Sequence, residues 1–158
     1  MNAPVISAGI LLYRVRAGRC EVFLVHPGGP YWAKKDTGTW SVPKGIAGPG
    51  EDHLDAARRE FREETGFDAK GRVHALGTFP QRSGKRLIVW AAEGDCDPAR
   101  LASNMFEMEW PPRSGRLRRF PEADRGGWFG RSEALGKIVP GQRPILEALY
   151  DLAPWGTS

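Results

Sequence analysis

The segment GIAGPGEDHLDAARREFREETGF, residues 45–67, predicts a glycine-rich loop followed by an amphipathic helix. Glycine and proline crowd its first six residues and interrupt regular structure, whereas the remainder is rich in the helix formers Glu, Ala, Arg and Leu. Leu54, Ala57 and Phe61 recur at spacings of three and four and form an apolar stripe. Gly66 suits the left-handed residue that ends a helix. We therefore expect one helix with a buried face and an adjacent binding face.

Three glutamates on this helix, Glu60, Glu63 and Glu64, predict a cation site. Residues three and four positions apart share a helix face, so these carboxylates should project side by side. Clustered like charges cost stability unless a cation lies among them, and hard divalent ions such as Mg²⁺ or Mn²⁺ prefer oxygen ligands. Because carboxylate-bound Mg²⁺ usually completes its shell with substrate phosphates and water, the cluster indicates a phosphate-containing ligand. In the alternative interpretation, neighbouring arginines merely neutralise the acids of a solvent-exposed helix.

The spacing of the whole segment resembles the Nudix box, the sequence signature of the Nudix hydrolases. The resemblance implies an α/β fold, a Nudix-type α/β/α sandwich with a mixed β-sheet between helices. It also agrees with Glu60, Glu63 and Glu64 as metal ligands, while Arg59 and Glu51 are expected to form a buried ion pair that orients them. The residues that carry the resemblance are Gly45, Glu51, Arg59, Glu60, Glu63, Glu64 and Gly66, with Phe61 and Phe67 where the family usually has an aliphatic residue.

Length and composition predict one soluble domain spanning residues 1–158. Hydrophobic residues make up 41% of the chain and charged residues 27%, as in ordinary globular proteins. The net charge is +4, and much of the positive excess lies in one cluster, Arg113, Arg116, Arg118 and Arg119. Because this positive field is local, it suits an anionic ligand at one place and argues against a nucleic-acid partner bound along a track.

Cysteine usage and the N-terminal sequence bear on the location of the protein. Cys20 and Cys96 are far apart and form no metal or redox spacing, so we expect a reducing, cytoplasmic compartment. The apolar run at residues 6–13 has no basic region before it and is followed by Arg14 and Arg16, which argues against a signal peptide or a membrane span. The oligomeric state stays open, with a homodimer among the alternatives.

Patterns on either side of the helix predict the rest of the fold. Residues 5–15 and 21–26 are rich in β-branched and aromatic residues and predict a hairpin with its turn at 17–19. Their nearly continuous apolar character predicts strands buried on both faces, and hence a sheet with helices on either side. Further strands are expected at residues 40–43, 73–80, 86–92 and 104–110, a turn at 82–84, and helices at 132–138, capped by Ser132, and at 144–152.

The segment PGGPYWAKKDTG, residues 27–38, predicts a long functional loop. Tyr31 and Trp32 are candidates to stack on a base, and Lys34 and Lys35 are candidates to bind phosphates. In the alternative interpretation, the two rings cover the edge of the sheet and the two lysines face water.

The run WSVPKG, residues 40–45, resembles the branch of the Nudix family that cleaves diadenosine polyphosphates. This resemblance implies that Lys44 lies close to the phosphate chain. The position of Lys44 before a glycine loop also suits neutralisation of a polyphosphate, and its backbone carbonyl is a candidate metal ligand. The alternative for Lys44 is a turn residue that faces solvent.

Acidic residues outside the box are candidates to complete the metal site. Glu122, in the run FPEADRGGWF that leads to Trp128, resembles the glutamate with which several Nudix enzymes bind metal or activate water. An exposed loop residue is the alternative for Glu122. Glu107 and Glu109 lie in the strand expected at 104–110, and we expect them to face opposite sides, so that at most one points into the site.

Residues 111–119, PPRSGRLRR, predict a basic loop. The prolines at its start and the four arginines within it suit a mobile flap over an anion, with Arg116 as a candidate substrate ligand. An exposed basic loop without a specific role is the alternative.

Together these features predict a hydrolase of phosphoanhydride bonds in nucleoside diphosphate linked substrates, dependent on Mg²⁺ or Mn²⁺. A dinucleoside polyphosphate is the favoured substrate, which would make the enzyme a bis(5'-nucleosyl)-tetraphosphatase. The alternatives are a sanitising nucleoside triphosphate pyrophosphatase for oxidised purines and a non-catalytic nucleotide or RNA sensor. The filled acidic positions of the box argue against a sensor. Glu60 is the favoured contact to both metal and water, and Glu122 is another candidate for the catalytic base.

Overall fold

A mixed β-sheet with helices on both faces forms the body of the computed structural model, which describes residues 5–152 except for the side chain of Ser83. The α/β/α sandwich predicted from the sequence is confirmed. The helices are α1 His53–Thr65, α2 Arg131–Lys137 and α3 Arg143–Asp151; the strands are β1 Ile6–Arg16, β2 Arg19–Pro27, β3 Lys44–Ile46, β4 Val73–Pro80, β5 Arg86–Glu93, β6 Met105–Glu109, β7 Leu117–Pro121 and β8 Ala123–Phe129. Of the helices in this described range, none combines the length and hydropathy that crossing a bilayer requires.

The strand order of the main sheet is β4-β5-β1-β2-β8, and β3 pairs with the N-terminal part of β1. β1 runs parallel to β5 and antiparallel to β2 and β3, which makes the sheet mixed. β1 and β2 form the predicted hairpin, and their central residues are buried on both faces. Gly9 pairs with Lys44 and Ile6 pairs with Arg86, so β3 and the start of β5 lie at the same end of the sheet.

Helix α1 covers one face of the sheet, and helices α2 and α3 cover the other. Ala57 and Phe61 of α1 are fully buried in one apolar cluster with Ile10 of β1, which confirms the predicted stripe. Leu146 and Leu149 of α3 are fully buried in the cluster on the opposite face. Full burial of a Phe or Leu side chain contributes about 1.5–3 kcal/mol to stability, so the burial of Phe61 fixes α1 on the sheet.

The strand predicted at residues 40–43 is wrong, because regular pairing starts only at Lys44. Pro43 has no N–H to donate, and the N–H of Val42 donates to the side chain of Gln142 at 3.0 Å instead of to a strand. The residues just before the glycine loop therefore make isolated contacts, with the helical layer through Val42 and with β2 through the backbone of Ser41 and Val25.

Two other expectations also need correction. The strand predicted at residues 104–110 is β6, but it pairs with β7 in a separate two-stranded sheet, so residues 117–119 of the predicted basic loop are strand. Helix α2 begins at Arg131 with Gly130 as its N-cap, so Ser132 lies inside the first turn and is not the cap. Sequence patterns alone did not reveal the β6–β7 hairpin because β7 is short, exposed and basic, which favours a loop.

Candidate active site

Helix α1 is held at both ends, which fixes the position of its glutamates. Asp52 is the N-cap residue, and its carboxylate accepts the backbone N–H of Asp55 at 3.1 Å. Gly66 adopts the left-handed conformation with φ 79° and donates its N–H to the carbonyl of Arg62, so the predicted stop is confirmed. The three glutamates therefore occupy the last two turns of the helix.

Two of these glutamates lie against the backbone of β3. Glu64 Oε2 accepts the N–H of Lys44 at 3.2 Å. The Glu60 carboxylate lies so close to Gly45 that a Cβ at position 45 would come within 2.0 Å of it. With Glu60 in this position only glycine fits there, so the glycine loop and the helix form one site. The Lys44 side chain and its carbonyl remain predicted ligands.

Arg59 holds three carboxylates at once. Its guanidinium donates to Glu51 at 2.9 and 3.0 Å, and its Nη1 donates to Glu60 at 2.8 Å and to Glu63 at 3.0 Å. These hydrogen bonds lower the pKa of Glu51 to about 2. The sequence predicts a buried Arg59–Glu51 pair, whereas the two side chains are 31% and 25% exposed. Arg59 therefore contacts Glu60 and Glu63 directly, in addition to its ion pair with Glu51.

Burial makes two of the carboxylates hard to ionise. It raises the pKa of Glu64 to about 7, and the charges of Glu122 and Glu60 add to this effect while Lys44 opposes it. Burial also raises the pKa of Glu60, against the opposing effect of Arg59. Carboxylates that are short of positive charge in this way are suited to receive a cation.

Glu122 approaches the same carboxylates from a different part of the chain. It lies between β7 and β8, where its N–H donates to the carbonyl of Asn104 at 2.8 Å and its carbonyl accepts the N–H of Gly28 at 2.9 Å. The charge of Glu122 raises the pKa of both Glu60 and Glu64, so its carboxylate lies near theirs. Glu122 is exposed, and its role at the metal site stays a prediction.

The donor set suits a hard divalent cation in its chemistry, since Glu60, Glu63, Glu64 and Glu122 all offer carboxylate oxygens. Within the described part of the chain, no three His, Cys, Asp or Glu side chains already converge on a point that an ion could occupy. The Nη1 group of Arg59 donates to both Glu60 and Glu63 and offsets part of their negative charge.

We expect the affinity for Mn²⁺ to depend on pH through Glu64. Only the ionised carboxylate binds a cation, and Glu64 takes up a proton below its pKa of about 7. The affinity should be nearly constant above pH 8 and should fall by about tenfold per pH unit well below pH 7. Calorimetric titration of the substrate-free protein with Mn²⁺ at pH 5, 6, 7 and 8 measures this. Equal affinities at pH 5 and pH 8 would contradict it.

Three other predicted residues lie exposed on the β6–β7 hairpin. Glu107 and Glu109 are two positions apart in β6, so they share one face of the strand, and the expectation that they face opposite sides is wrong. Glu107 is paired across the hairpin with Arg119, and Glu109 accepts a backbone N–H of the turn. Arg116 lies in the same turn. Glu122, unlike Glu107 and Glu109, is among the charges that raise the pKa of Glu60 and Glu64, which makes it the better candidate for the metal site.

The long loop after β2 presents its aromatic residues at the surface. Tyr31 is 56% exposed and lies edge-on to Trp110, with ring centroids 5.2 Å apart. Trp32 is 42% exposed, and the ammonium group of Lys35 lies 5.1 Å from its ring centroid. Lys34 is exposed as well. Trp110 could not be predicted as part of this surface, because only the fold brings the β6–β7 hairpin to this loop.

The fold also forms a cavity of about 640 Å³ that the sequence did not predict. It lies where β4 turns into β5, at the end of the sheet that carries β3, and its other wall is the connection between α2 and α3. The sequence showed only a turn here, since the two walls are far apart in the chain. The lining residues are Pro80, Gln81, Arg82, Lys85, Val139, Pro140 and Gly141.

The fold and this site define a class of enzyme, the hydrolases that cleave phosphoanhydride bonds at a glycine-rich loop followed by a glutamate-bearing helix. The chain belongs to the Nudix family, because the NUDIX domain profile matches residues 3–149. It is 30% identical over 123 residues to the RNA pyrophosphohydrolase of Rhizobium meliloti (strain 1021), covering 68% of each chain. It is 40% identical over 60 residues to the asymmetrical bis(5'-nucleosyl)-tetraphosphatase of Mus musculus, covering 34% of this chain and 41% of that protein. The protein is therefore a Nudix pyrophosphohydrolase, and hydrolases of this family generally use divalent metal ions.

Solved structures support the same fold. The Ap4A hydrolase of C. elegans superposes with a TM-score of 0.63 at 23% identity, covering 92% of this chain and 96% of that one. The NUDIX domain of Shewanella oneidensis NrtR, complexed with ADP ribose, gives a TM-score of 0.64 at 13% identity and covers 97% of this chain and 91% of that one. Similarity at these identities establishes the architecture of the chain.

Proposed function

We propose that this enzyme hydrolyses dinucleoside polyphosphates, with diadenosine tetraphosphate as the substrate and Mg²⁺ or Mn²⁺ as the cofactor. The observation that carries the proposal is that the chain offers two separate surfaces able to hold a base, both at the end of the sheet that carries β3, with the cavity on the side of α2 and α3. One is the loop with Tyr31 and Trp32, and the other is the cavity that contains Arg82 and Lys85. A mononucleotide would occupy one such surface, whereas a dinucleoside polyphosphate can occupy both.

The similarity to the mouse tetraphosphatase supports this substrate. A nematode protein of the same name, from Caenorhabditis elegans, is 40% identical over 58 residues. The loop lies next to the site, because the N–H of Gly28 donates to the carbonyl of Glu122. We assign the exposed lysines of the loop, Lys34 and Lys35, to the phosphate chain together with Lys44.

The residues of the site would have different roles in hydrolysis. A divalent ion bound here would neutralise phosphate oxygens and lower the pKa of the attacking water. Arg59 and Glu51 would orient the carboxylates, and Glu60 or Glu122 would accept the proton of the water. The groups proposed to hold the ion are Glu60, Glu63, Glu64, Glu122 and the carbonyl of Lys44.

A second candidate substrate is RNA that carries a 5'-terminal polyphosphate. Two observations favour it: the similarity to the bacterial RNA pyrophosphohydrolase, and the exposed arginines of the β6–β7 hairpin, which suit a phosphate backbone. These arginines are Arg113, Arg116, Arg118 and Arg119.

We expect diadenosine tetraphosphate with Mg²⁺ to be cleaved unequally, into AMP and ATP, and faster than ATP or 5'-triphosphorylated RNA. Tyr31→Ala should raise KM for the dinucleotide about tenfold, since a base–aromatic stack contributes about 1–3 kcal/mol, while Tyr31→Phe keeps the stack as the matched control. Chromatography of the products and kcat/KM for the three substrates measure this. A higher kcat/KM for the RNA would favour the second candidate. If none of the three substrates is cleaved, both candidates are refuted.

A further inference from the structure

We propose that His26 is a positioning residue whose two ring nitrogens hold the substrate loop in its binding geometry. This inference rests on the proposed function, which assigns Tyr31, Trp32, Lys34 and Lys35 of that loop to the substrate. His26 is the last buried residue of β2 and is completely inaccessible to solvent. A histidine at this depth needs partners for its polar ring atoms.

Both ring nitrogens of His26 have partners, and they come from two different elements. Nε2 lies 2.6 Å from the backbone carbonyl of Lys35 in the loop. Nδ1 lies 2.8 Å from the carboxylate Oδ1 of Asp124 in β8. The ring edge packs on Trp40, with centroids 5.3 Å apart. His26 therefore connects β2, β8 and the middle of the substrate loop.

The chemistry of the Lys35 carbonyl decides where one proton of the ring lies. A carbonyl oxygen only accepts, so Nε2 must carry a hydrogen toward Lys35. At Nδ1 the partner is the carboxyl group of Asp124, and Arg125 lies beside the same oxygen, with 3.7 Å between Nε and Oδ1. The Nε2 hydrogen bond therefore reaches the loop, and the Nδ1 hydrogen bond fixes the ring on β8.

The anchored carbonyl lies at the centre of the residues that face the substrate. Lys35 is exposed, its ammonium group lies over the ring of Trp32, and its own N–H donates to the Trp32 carbonyl at 2.9 Å. Next to it, the carboxylate of Asp36 accepts from the indole N–H of Trp40 at 2.7 Å and from Lys137 at 2.6 Å. The loop is thus built in advance as a platform, and fixing the Lys35 carbonyl fixes both the ring and the ammonium group beside it.

Two substitutions separate the two hydrogen bonds of His26. In His26→Gln, the amide N–H lies near the place of Nε2–H and can still donate to Lys35. In His26→Asn, the shorter amide can replace only Nδ1 toward Asp124. We expect His26→Asn to raise KM for diadenosine tetraphosphate about tenfold at unchanged kcat, and His26→Gln to remain within about threefold of the unsubstituted protein. A loss of kcat at unchanged KM, or equal KM changes in both variants, would overturn the proposal.

Two measurements without substrate keep this test independent of the proposed function. Trypsin cleaves after Lys34 and Lys35, which are exposed, so His26→Asn should be cut there faster than His26→Gln if the loop is released. In the unsubstituted protein, the ¹⁵N spectrum of the imidazoles should show a hydrogen on Nε2 of His26, which is directed at the Lys35 carbonyl. A bare Nε2, or equal cleavage of the two variants, would refute the role of His26. Failure of the KM test together with positive results here would instead refute the assigned substrate.

Discussion

Glu64→Gln is expected to lower kcat for diadenosine tetraphosphate by about a thousandfold and, at pH 8, to make the metal-free protein more stable. The first effect follows because Glu64 is a proposed ligand of the cation, whose stabilisation of the transition state is worth several kcal/mol at 1.36 kcal/mol per tenfold. The second follows from the state of Glu64 in the fold. Its carboxylate is partly buried, close to Lys44 and to the charges of Glu60 and Glu122.

The sign of the stability change follows from the direction of the pKa shift of Glu64. The pKa is about 7 in the folded protein against an ordinary value of 4.5, so the folded state holds the proton more tightly than the unfolded chain. Ionisation therefore weakens the fold progressively as pH rises from 4.5 to 7, and the full cost is present at pH 8. Glutamine resembles the protonated acid and avoids this cost. We expect a gain of about 2 kcal/mol at pH 8 and almost none at pH 4.5.

Thermal unfolding in EDTA at the two pH values measures the stability change, and steady-state hydrolysis measures the activity. For a chain of this length, about 2 kcal/mol corresponds to roughly 4–8 °C in Tm. Glu147→Gln, an exposed glutamate of α3, is the matched control and should change neither quantity. If Glu64→Gln retains activity, Glu64 is not a metal ligand. A Tm at pH 8 that falls would show that the Glu64 carboxylate is not held at a cost.

The parts of the site that the sequence predicted are those that depend on local periodicity. The helix, its glycine stop and the shared face of Glu60, Glu63 and Glu64 all follow from spacings of three and four within one segment. The β1–β2 hairpin could also be predicted from the sequence, because its two strands are adjacent in the chain and strongly apolar. Local rules failed just before the box, where Pro43 prevents regular pairing although the residues around it suit a strand.

The parts that the sequence did not show depend on contacts between distant segments. His26 and Asp124 are 98 positions apart, and the edge contact of Tyr31 with Trp110 joins a loop to a hairpin that had no counterpart in the predicted topology. Arg59 is a different case, since its pair with Glu51 was predicted and its direct contacts to Glu60 and Glu63 were not. Its spacing allowed contacts to Glu51 and to Glu63, but only the folded loop shows that one guanidinium binds both together with Glu60.

Gly45→Ala is expected to lower kcat/KM about a hundredfold while leaving the protein folded. The added Cβ would lie 2.0 Å from the Glu60 carboxyl group, which must therefore move away. The contact is with the mobile end of a side chain, and residue 45 does not need a positive φ, so the backbone accepts alanine. A displacement of about 1 Å in a catalytic group costs on the order of a hundredfold in rate. Mn²⁺ affinity should fall with it, because Glu60 is a proposed ligand of the ion.

The control for this substitution is Gly136→Ala, in helix α2, where an added Cβ meets open space. It should raise stability by up to about 1 kcal/mol through helix propensity and leave hydrolysis unchanged. Near-wild-type Tm with lost activity in Gly45→Ala would show that the glycine is required for the approach of a carboxylate to the backbone. Full activity would mean that Glu60 can work from another position, and the assignment of Glu60 as the contact to metal and water would fall. Loss of folding in Gly45→Ala would show instead that the loop, and not Glu60, is what cannot tolerate the methyl group.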